Sequence, residues 1–122
     1  MSTPTKADAL ERRLIVFAGK ILGFSAKLPR TFTGRHIAQQ LVRSGTAAAA
    51  NYGEARGAES RADFIHKLRI VFKELNETTI WIEIIIASSL ISADFATSIL
   101  GETRELCRII GASIKTARSS QE

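Results

Sequence analysis

The sequence predicts an all-α fold, an antiparallel up-down-up-down four-helix bundle. Four segments carry apolar residues at alternating steps of three and four, and short linkers with capping residues separate them. One segment has strand-like composition, but there is no second such segment with which it could pair. Because 122 residues is a common length for one domain, we expect a single bundle domain over residues 1–122. The alternative is three long helices with a fourth that is partly detached.

The first helix is predicted over residues 6–28. Thr5 and Asp8 have the spacing of an N-terminal capping box, and Pro29 ends the helix because the residue before a proline avoids helical torsion angles. The stripe that should face the core consists of Leu10, Leu14, Phe17, Ile21, Phe24 and Leu28.

The second helix is predicted over residues 34–56, with Thr33 as its N-cap and Gly57 in the left-handed conformation that often follows a helix. Gly45 and Gly53 lie inside this helix, where glycine costs about 1 kcal/mol relative to alanine. We therefore expect close packing within the monomer to exclude a side chain at both positions. The core stripe is rich in small residues and consists of Ile37, Leu41, Ser44, Ala48, Tyr52 and Ala55.

The third helix is predicted over residues 61–89, with Ser60 as its N-cap and Asp63 in its first turn. Residues 78–86 favour a strand by composition, but the helical stripe continues through them without a change of phase. The core stripe consists of Phe64, Leu68, Val71, Leu75, Thr78, Ile82 and Ile85. The fourth helix follows Ser92, and its stripe consists of Phe95, Ile99, Thr103, Leu106, Ile110, Ile114 and Ala117.

The third helix is apolar on two opposite sides. If Ile82 and Ile85 face the core, Ile80 and Ile84 lie about half a turn away and face solvent. A sizeable exposed apolar stripe marks a partner surface. We therefore predict a homo-oligomer, with a contact formed by Ile80, Trp81, Ile84 and Ile91.

The first 73 residues carry a net charge of +8 and the remaining residues −3, which together give the net charge of +5. A field of this sign attracts polyanions such as RNA or DNA. The candidate phosphate-binding residues are Arg12, Arg13, Lys20, Lys27, Arg30, Arg35 and Arg43. Since aromatic residues make up only 7% of the chain and most are assigned to the core, the sequence does not favour base stacking. The alternative is a solvated basic surface without a ligand.

Two polar residues of the second helix, Asn51 and Glu54, fall in the region of small residues and need partners there. We expect a structural polar network of Gln40, Arg43, Asn51 and Glu54 at the corner between the second and third helices.

No pattern of residues predicts a catalytic site, a metal site or a cofactor. Asp63 and His66 have the Asp-x-x-His spacing of one half of a di-iron site, but the second half is lacking, so a surface role is expected for His66. Cys107 is the only cysteine and lies on the apolar side of the fourth helix, which favours a buried thiol over a nucleophile. A single cysteine and an N-terminus without the pattern of a signal peptide predict a cytoplasmic protein with no membrane association.

The second and third helices resemble a known family. The second reads Q-L-x-R-x3-A-x2-A-N-x2-E from Gln40 to Glu54. The likeness continues through Ser60, Phe64, Leu68, Lys73, Glu74, Leu75, Glu77, Thr78 and Trp81. These segments are similar to small bacterial proteins encoded in intervening sequences of 23S ribosomal RNA genes, often labelled S23 ribosomal proteins. The family often has serine and isoleucine where this chain has Ala47 and Ala48, and glycine at Ala55.

The resemblance implies a four-helix bundle that assembles as a ring-shaped homopentamer. It also implies relatives that serve as basic accessory subunits of retroelement reverse transcriptases. It does not imply membership of the ribosome. The first functional hypothesis is a non-enzymatic, oligomeric, nucleic-acid-associated protein. The alternative is a protein-interaction scaffold or an accessory subunit of a polymerase or reverse transcriptase, and an enzyme is the least favoured class.

Overall fold

The structure, a computed structural model, describes residues 3–120. Four helices account for most of this range: α1 (Lys6–Ser25), α2 (Phe32–Arg56), α3 (Arg61–Ala87) and α4 (Ala93–Ser119). The all-α four-helix prediction is confirmed, and no helix in residues 3–120 is detached from the others. The expected domain range of 1–122 extends two residues beyond each end of the described part.

Later residues of one helix contact earlier residues of the next helix, so consecutive helices are antiparallel. In the α2–α3 pair, for example, Arg43 contacts Glu74, whereas the later residue Glu54 contacts the earlier residue Lys67. The most extensive packing joins α2 to α3, then α3 to α4 and α1 to α2, whereas α1 and α4 touch less closely. Helices α1 and α3 therefore lie on a diagonal of the bundle, and their outer faces point to opposite sides.

The predicted stripes form most of the core, because a helical period of 3.6 fixes which residues share a face. The largest fully buried side chains include Phe17, Leu41, Leu75 and Ile110. The prediction is wrong at Phe95, which is half-exposed, while Ala96 beside it is fully buried. Phe95 and Ala96 lie four and three residues before the buried Ile99, so either could face the core by helical spacing. The smaller side chain, Ala96, occupies the interior. Phe64 and Ile114 are only half-buried.

Several helix ends differ from the predicted ones. The capping box of Thr5 and Asp8 is present, but α1 ends at Ser25, and Leu28 remains buried in the turn that follows. Helix α3 ends at Ala87 because Ser89 adopts a left-handed conformation with φ of 55°. Gly57 has φ of −97°, so the left-handed conformation predicted there is wrong.

The N-terminus of α2 is also earlier than predicted. Thr31 is the N-cap, and its hydroxyl accepts a hydrogen bond of 3.1 Å from the Gly34 amide, whereas Thr33 lies inside the first turn. Gly34 packs against the preceding loop so closely that a Cβ atom there would lie 1.9 Å from the carbonyl oxygen of Pro29. This contact fixes the start of the helix on the loop that precedes it.

The two interior glycines of α2 have different surroundings. A Cβ at Gly45 would lie 2.8 Å from Ile21 Cγ2, so close packing of α1 on α2 explains this glycine as expected. At Gly53 the nearest atom would be Glu11 Oε2 at 3.5 Å, which is an ordinary contact distance. The expectation that a side chain would not fit is therefore wrong for Gly53. None of the four helices contains a stretch long and apolar enough to span a bilayer.

Candidate interaction surfaces

The seven candidate phosphate-binding residues fall into two groups. Arg13 and Arg43 are held in ion pairs with carboxylates of neighbouring helices. The other five are exposed and form no ion pair with any residue between 3 and 120: Arg12, Lys20, Lys27, Arg30 and Arg35. Positive charge at these five positions is therefore not neutralised within the described chain.

Arg13 joins α1 to α4 through a bidentate contact with Glu102. Its Nε donates to Oε2 at 2.9 Å and its Nη2 donates to Oε1 at 2.7 Å. The hydrogen bond from Arg13 holds the pKa of Glu102 below its usual value, although partial burial acts in the opposite direction. This contact crosses the helix pair that packs least closely, so it strengthens the open side of the bundle.

Glu102 contributes to the free energy of unfolding in a pH-dependent way, and comparison of a Glu102 variant with the wild type measures this contribution. Folding lowers the pKa of this carboxyl below its value in the unfolded chain, which is about 4.3. The ionised carboxylate therefore stabilises the fold when the pH is above about 4.3, and this stabilisation is lost as the pH falls through the lower pKa of the folded protein. We expect Glu102→Gln to reduce the free energy of unfolding by about 0.5–1 kcal/mol at pH near 7, because the pair is partly solvated. The difference from wild type should shrink in acid.

Urea unfolding at neutral and acid pH measures this difference. Glu59→Gln serves as the control, since Glu59 is exposed and forms no ion pair with the described residues. A wild-type to Glu102→Gln difference that stays constant with pH would contradict the proposed role of the Arg13 contact.

Arg43 joins α2 to α3 at a cluster of polar and aromatic side chains. It contacts the mostly buried Glu74 at 3.1 Å and also binds Glu77. The Trp81 indole donates to Glu77 at 3.0 Å and meets the His36 ring edge to face, with centroids 6.3 Å apart. The hydrogen bond from Trp81 is the main cause of the lowered pKa of Glu77, and Arg43 adds to it. The ion pairs with Glu74 and Glu77 thus give Arg43 a structural role, in which it joins α2 to α3.

The four residues of the predicted polar network do not bond to one another. Arg43 binds the α3 carboxylates, and Asn51 donates to the Ala47 carbonyl of its own helix at 2.9 Å. Glu54 is exposed and lies 3.8 Å from Lys67. Gln40 makes no side-chain hydrogen bond with another residue of the described range. Separate contacts replace the network because these residues point to different neighbours around α2.

Lys20 of α1 and Lys27 in the turn after α1 line a groove of about 390 Å³ between α1 and α4. The Lys27 ammonium lies 3.8 Å from the centroid of the half-exposed Phe95 ring, a cation–π contact. Arg30 lies in the loop between α1 and α2 and Arg35 in the first turn of α2, where its Nη1 donates to the Arg30 backbone carbonyl at 2.9 Å. Four of the five unpaired candidate cations therefore lie at one end of the bundle and in the adjacent groove.

Part of the predicted oligomer contact is exposed. Ile80 is 54% and Ile84 is 38% exposed, and these two residues are called the α3 patch below. Trp81 and Ile91 are half-buried and pack against the core, so less of their surface is open to a partner. A single chain leaves the α3 patch uncovered, as the helical phase predicts.

A second exposed apolar surface, on the outer face of α1, was not predicted. It consists of Ile15, Val16 and Leu22, and Leu22 is 49% exposed; these three residues are called the α1 patch below. The sequence could have predicted this exposure, because residues on the side of α1 opposite Phe17 and Ile21 should face solvent. The α1 and α3 patches lie on diagonally opposed helices.

The remaining candidates show no reactive arrangement. The Cys107 thiol is half-buried, lies 3.4 Å from Asn76 Oδ1, and has its pKa raised by burial, which disfavours the nucleophilic thiolate. Asp63 accepts a backbone hydrogen bond at the start of α3, and His66 is exposed. Among residues 3–120 no group of three His, Cys, Asp or Glu side chains is arranged to hold a metal ion.

Comparisons with known proteins agree with the sequence resemblance. A family model described as 23S rRNA-intervening sequence protein matches residues 11–112. A crystal structure of a protein of unknown function from the S23 ribosomal protein family of Bacteroides thetaiotaomicron is similar to this fold, with a TM-score of 0.84. It is 34% identical, and the match covers 91% of this chain and 99% of that one. The comparison with curated proteins gives no match.

Proposed function

We propose that this chain, which belongs to the 23S rRNA-intervening sequence protein family, is a non-enzymatic, homo-oligomeric protein that associates with nucleic acid. The observation that carries the proposal is the cluster of four exposed cations at one end of the bundle and in the adjacent groove, which form no ion pair with any residue between 3 and 120: Lys20, Lys27, Arg30 and Arg35. Residues 12–53 contain no aspartate or glutamate, so the positive charge of this long segment is opposed only by carboxylates from elsewhere. Such a surface binds phosphate groups without reading sequence.

Assembly would increase the local charge. The α1 and α3 patches are different surfaces on opposite sides of one chain, which is the arrangement required for a head-to-tail contact between identical copies. Where the rotation from one copy to the next closes, such a contact forms a ring, in keeping with the homopentamer that the family resemblance implies. A ring would bury both patches and bring several copies of the basic surface together.

Binding of labelled RNA and DNA as a function of salt tests the nucleic-acid proposal. We expect a triple variant, Lys27→Gln with Arg30→Gln and Arg35→Gln, to weaken binding strongly at about 50 mM salt and to lower the log–log salt slope by about 0.7–0.9 per lost phosphate contact. The matched control neutralises three exposed cations at the opposite end of the bundle, Arg61, Lys115 and Arg118. Wild-type protein that binds neither polymer at low salt would contradict the proposal, as would equal losses in the two triple variants.

A second candidate function is that of a protein-interaction scaffold or an accessory subunit of a polymerase or reverse transcriptase. The same two apolar patches favour it, because a partner protein can cover an exposed apolar surface as well as another copy can. A specific pull-down that survives nuclease treatment and is lost when the α3 patch is changed would favour this candidate over the first.

A further inference from the structure

Phe32 is the most exposed large apolar side chain of the described residues. It is 82% exposed at the first position of α2, although phenylalanine of a small domain is normally buried. It lies outside both apolar patches and belongs to no core stripe. The core therefore gives no reason for an aromatic side chain at this position.

The backbone beneath Phe32 is held firmly. Thr31 caps the helix through the Gly34 amide, and Gly34 lies directly against the Pro29 carbonyl. Pro29 itself restricts the loop, since its ring fixes one backbone torsion. The ring of Phe32 is thus presented to solvent from a rigid base, which lowers the entropy lost when a ligand packs against it.

The surroundings of Phe32 are basic. Arg30 and Arg35 lie on either side of it in the chain, and a hydrogen bond to the Arg30 backbone carbonyl holds the Arg35 guanidinium against the loop that precedes α2. Lys27 lies three residues before Arg30, and no acidic residue occurs in the whole segment 12–53. A second copy of the same basic segment would repel this surface, so charge complementarity favours an anionic ligand.

We infer that Phe32 is a stacking platform for the bases of single-stranded nucleic acid, with Arg30 and Arg35 bound to the adjacent phosphates. This inference rests on the proposed nucleic-acid association and specifies its substrate class. An exposed aromatic ring flanked by cations matches a polyanion whose bases have free π faces. In a duplex both faces of each internal base are already stacked, so the ring favours single strands.

Fluorescence anisotropy with a labelled oligothymidylate of about 20 nucleotides, and with a duplex of equal length, tests the inference. We expect the wild type to prefer the single strand and Phe32→Ala to weaken that binding about tenfold, the loss expected for one stacked base. Duplex binding should change little, and Phe32→Tyr should restore the single-strand affinity. Phe32→Leu is the matched control, because it keeps an apolar side chain at this exposed position and removes only the aromatic face; it should weaken single-strand binding as Phe32→Ala does.

A Phe32→Trp variant gives a direct readout of stacking. Its additional tryptophan emission, measured against the wild type with Trp81 alone, should be quenched by the single strand and not by the duplex. Binding of both nucleic acids without quenching and without a Phe32→Ala effect would overturn the inference and leave the proposed function standing. No binding at all would overturn both. A Phe32→Ala protein with a changed native mass would assign the ring to a contact between copies and also overturn the inference.

Discussion

Gly34→Ala is expected to destabilise the fold by about 3 kcal/mol or more, the upper part of the range for an overpacked site. A Cβ at this position would lie 1.9 Å from the Pro29 carbonyl oxygen and 2.9 Å from the carbonyl carbon. Both are backbone atoms, so no change of rotamer can relieve the contact. The loop must move away from the start of α2, and the cap provided by Thr31 is lost with it.

Chemical denaturation of purified variants measures this effect. The matched control is Gly101→Ala in α4, where a Cβ would meet no atom within 4 Å. Alanine is the better helix former, so the control should raise stability by as much as about 1 kcal/mol. Equal unfolding midpoints for the two variants would show that the loop and the helix start are not packed as described.

Ile80→Lys combined with Ile84→Lys is expected to dissociate the proposed oligomer into single chains. Removal of an isoleucine from a contact costs about 1.5–3 kcal/mol, and each buried ammonium adds a further penalty at every interface of the assembly. The fold should survive, because both residues are exposed and the core residues of α3 are unchanged. Light scattering measures the mass, and circular dichroism verifies that the helices are intact.

Two further variants make this experiment specific. Phe32→Lys places the same charge at an exposed apolar position outside both patches and should leave the mass unchanged. Leu22→Lys in the α1 patch should dissociate the protein, because a head-to-tail contact needs both surfaces. If the α3-patch variant keeps the wild-type mass, the α3 patch is not part of a contact between copies. If Leu22→Lys keeps the wild-type mass, the head-to-tail arrangement is contradicted.

The helices and most of the core could be predicted because they depend on local spacing. The stripe from Leu14 to Phe24 and the caps at Thr5 and Ser60 follow directly from the order of residues. The start of α2 could not be predicted in the same way, since Thr31 and Thr33 are both acceptable caps. The contact of Gly34 with Pro29 decides between them, and that contact exists only in the folded loop.

The candidate surface was harder to predict than the fold, because pairing of charges depends on distant partners. Glu102 is 89 residues from Arg13, and Glu74 is 31 residues from Arg43. No local pattern showed that these two arginines are neutralised while Arg30 and Arg35 are not. Phe32 falls between the first two predicted helices and in no core stripe, but a linker position does not show how much of its ring is exposed.

In the proposed oligomer the α3 patch holds copies of the chain together. The native mass of the wild-type protein at micromolar concentration is the most direct test of this contact. Because one chain has a mass of 13.3 kDa, a ring of five copies should give about 66 kDa by native mass spectrometry, with both apolar patches protected from solvent. A mass of 13.3 kDa at that concentration would contradict the assembly and the pooling of positive charge that depends on it.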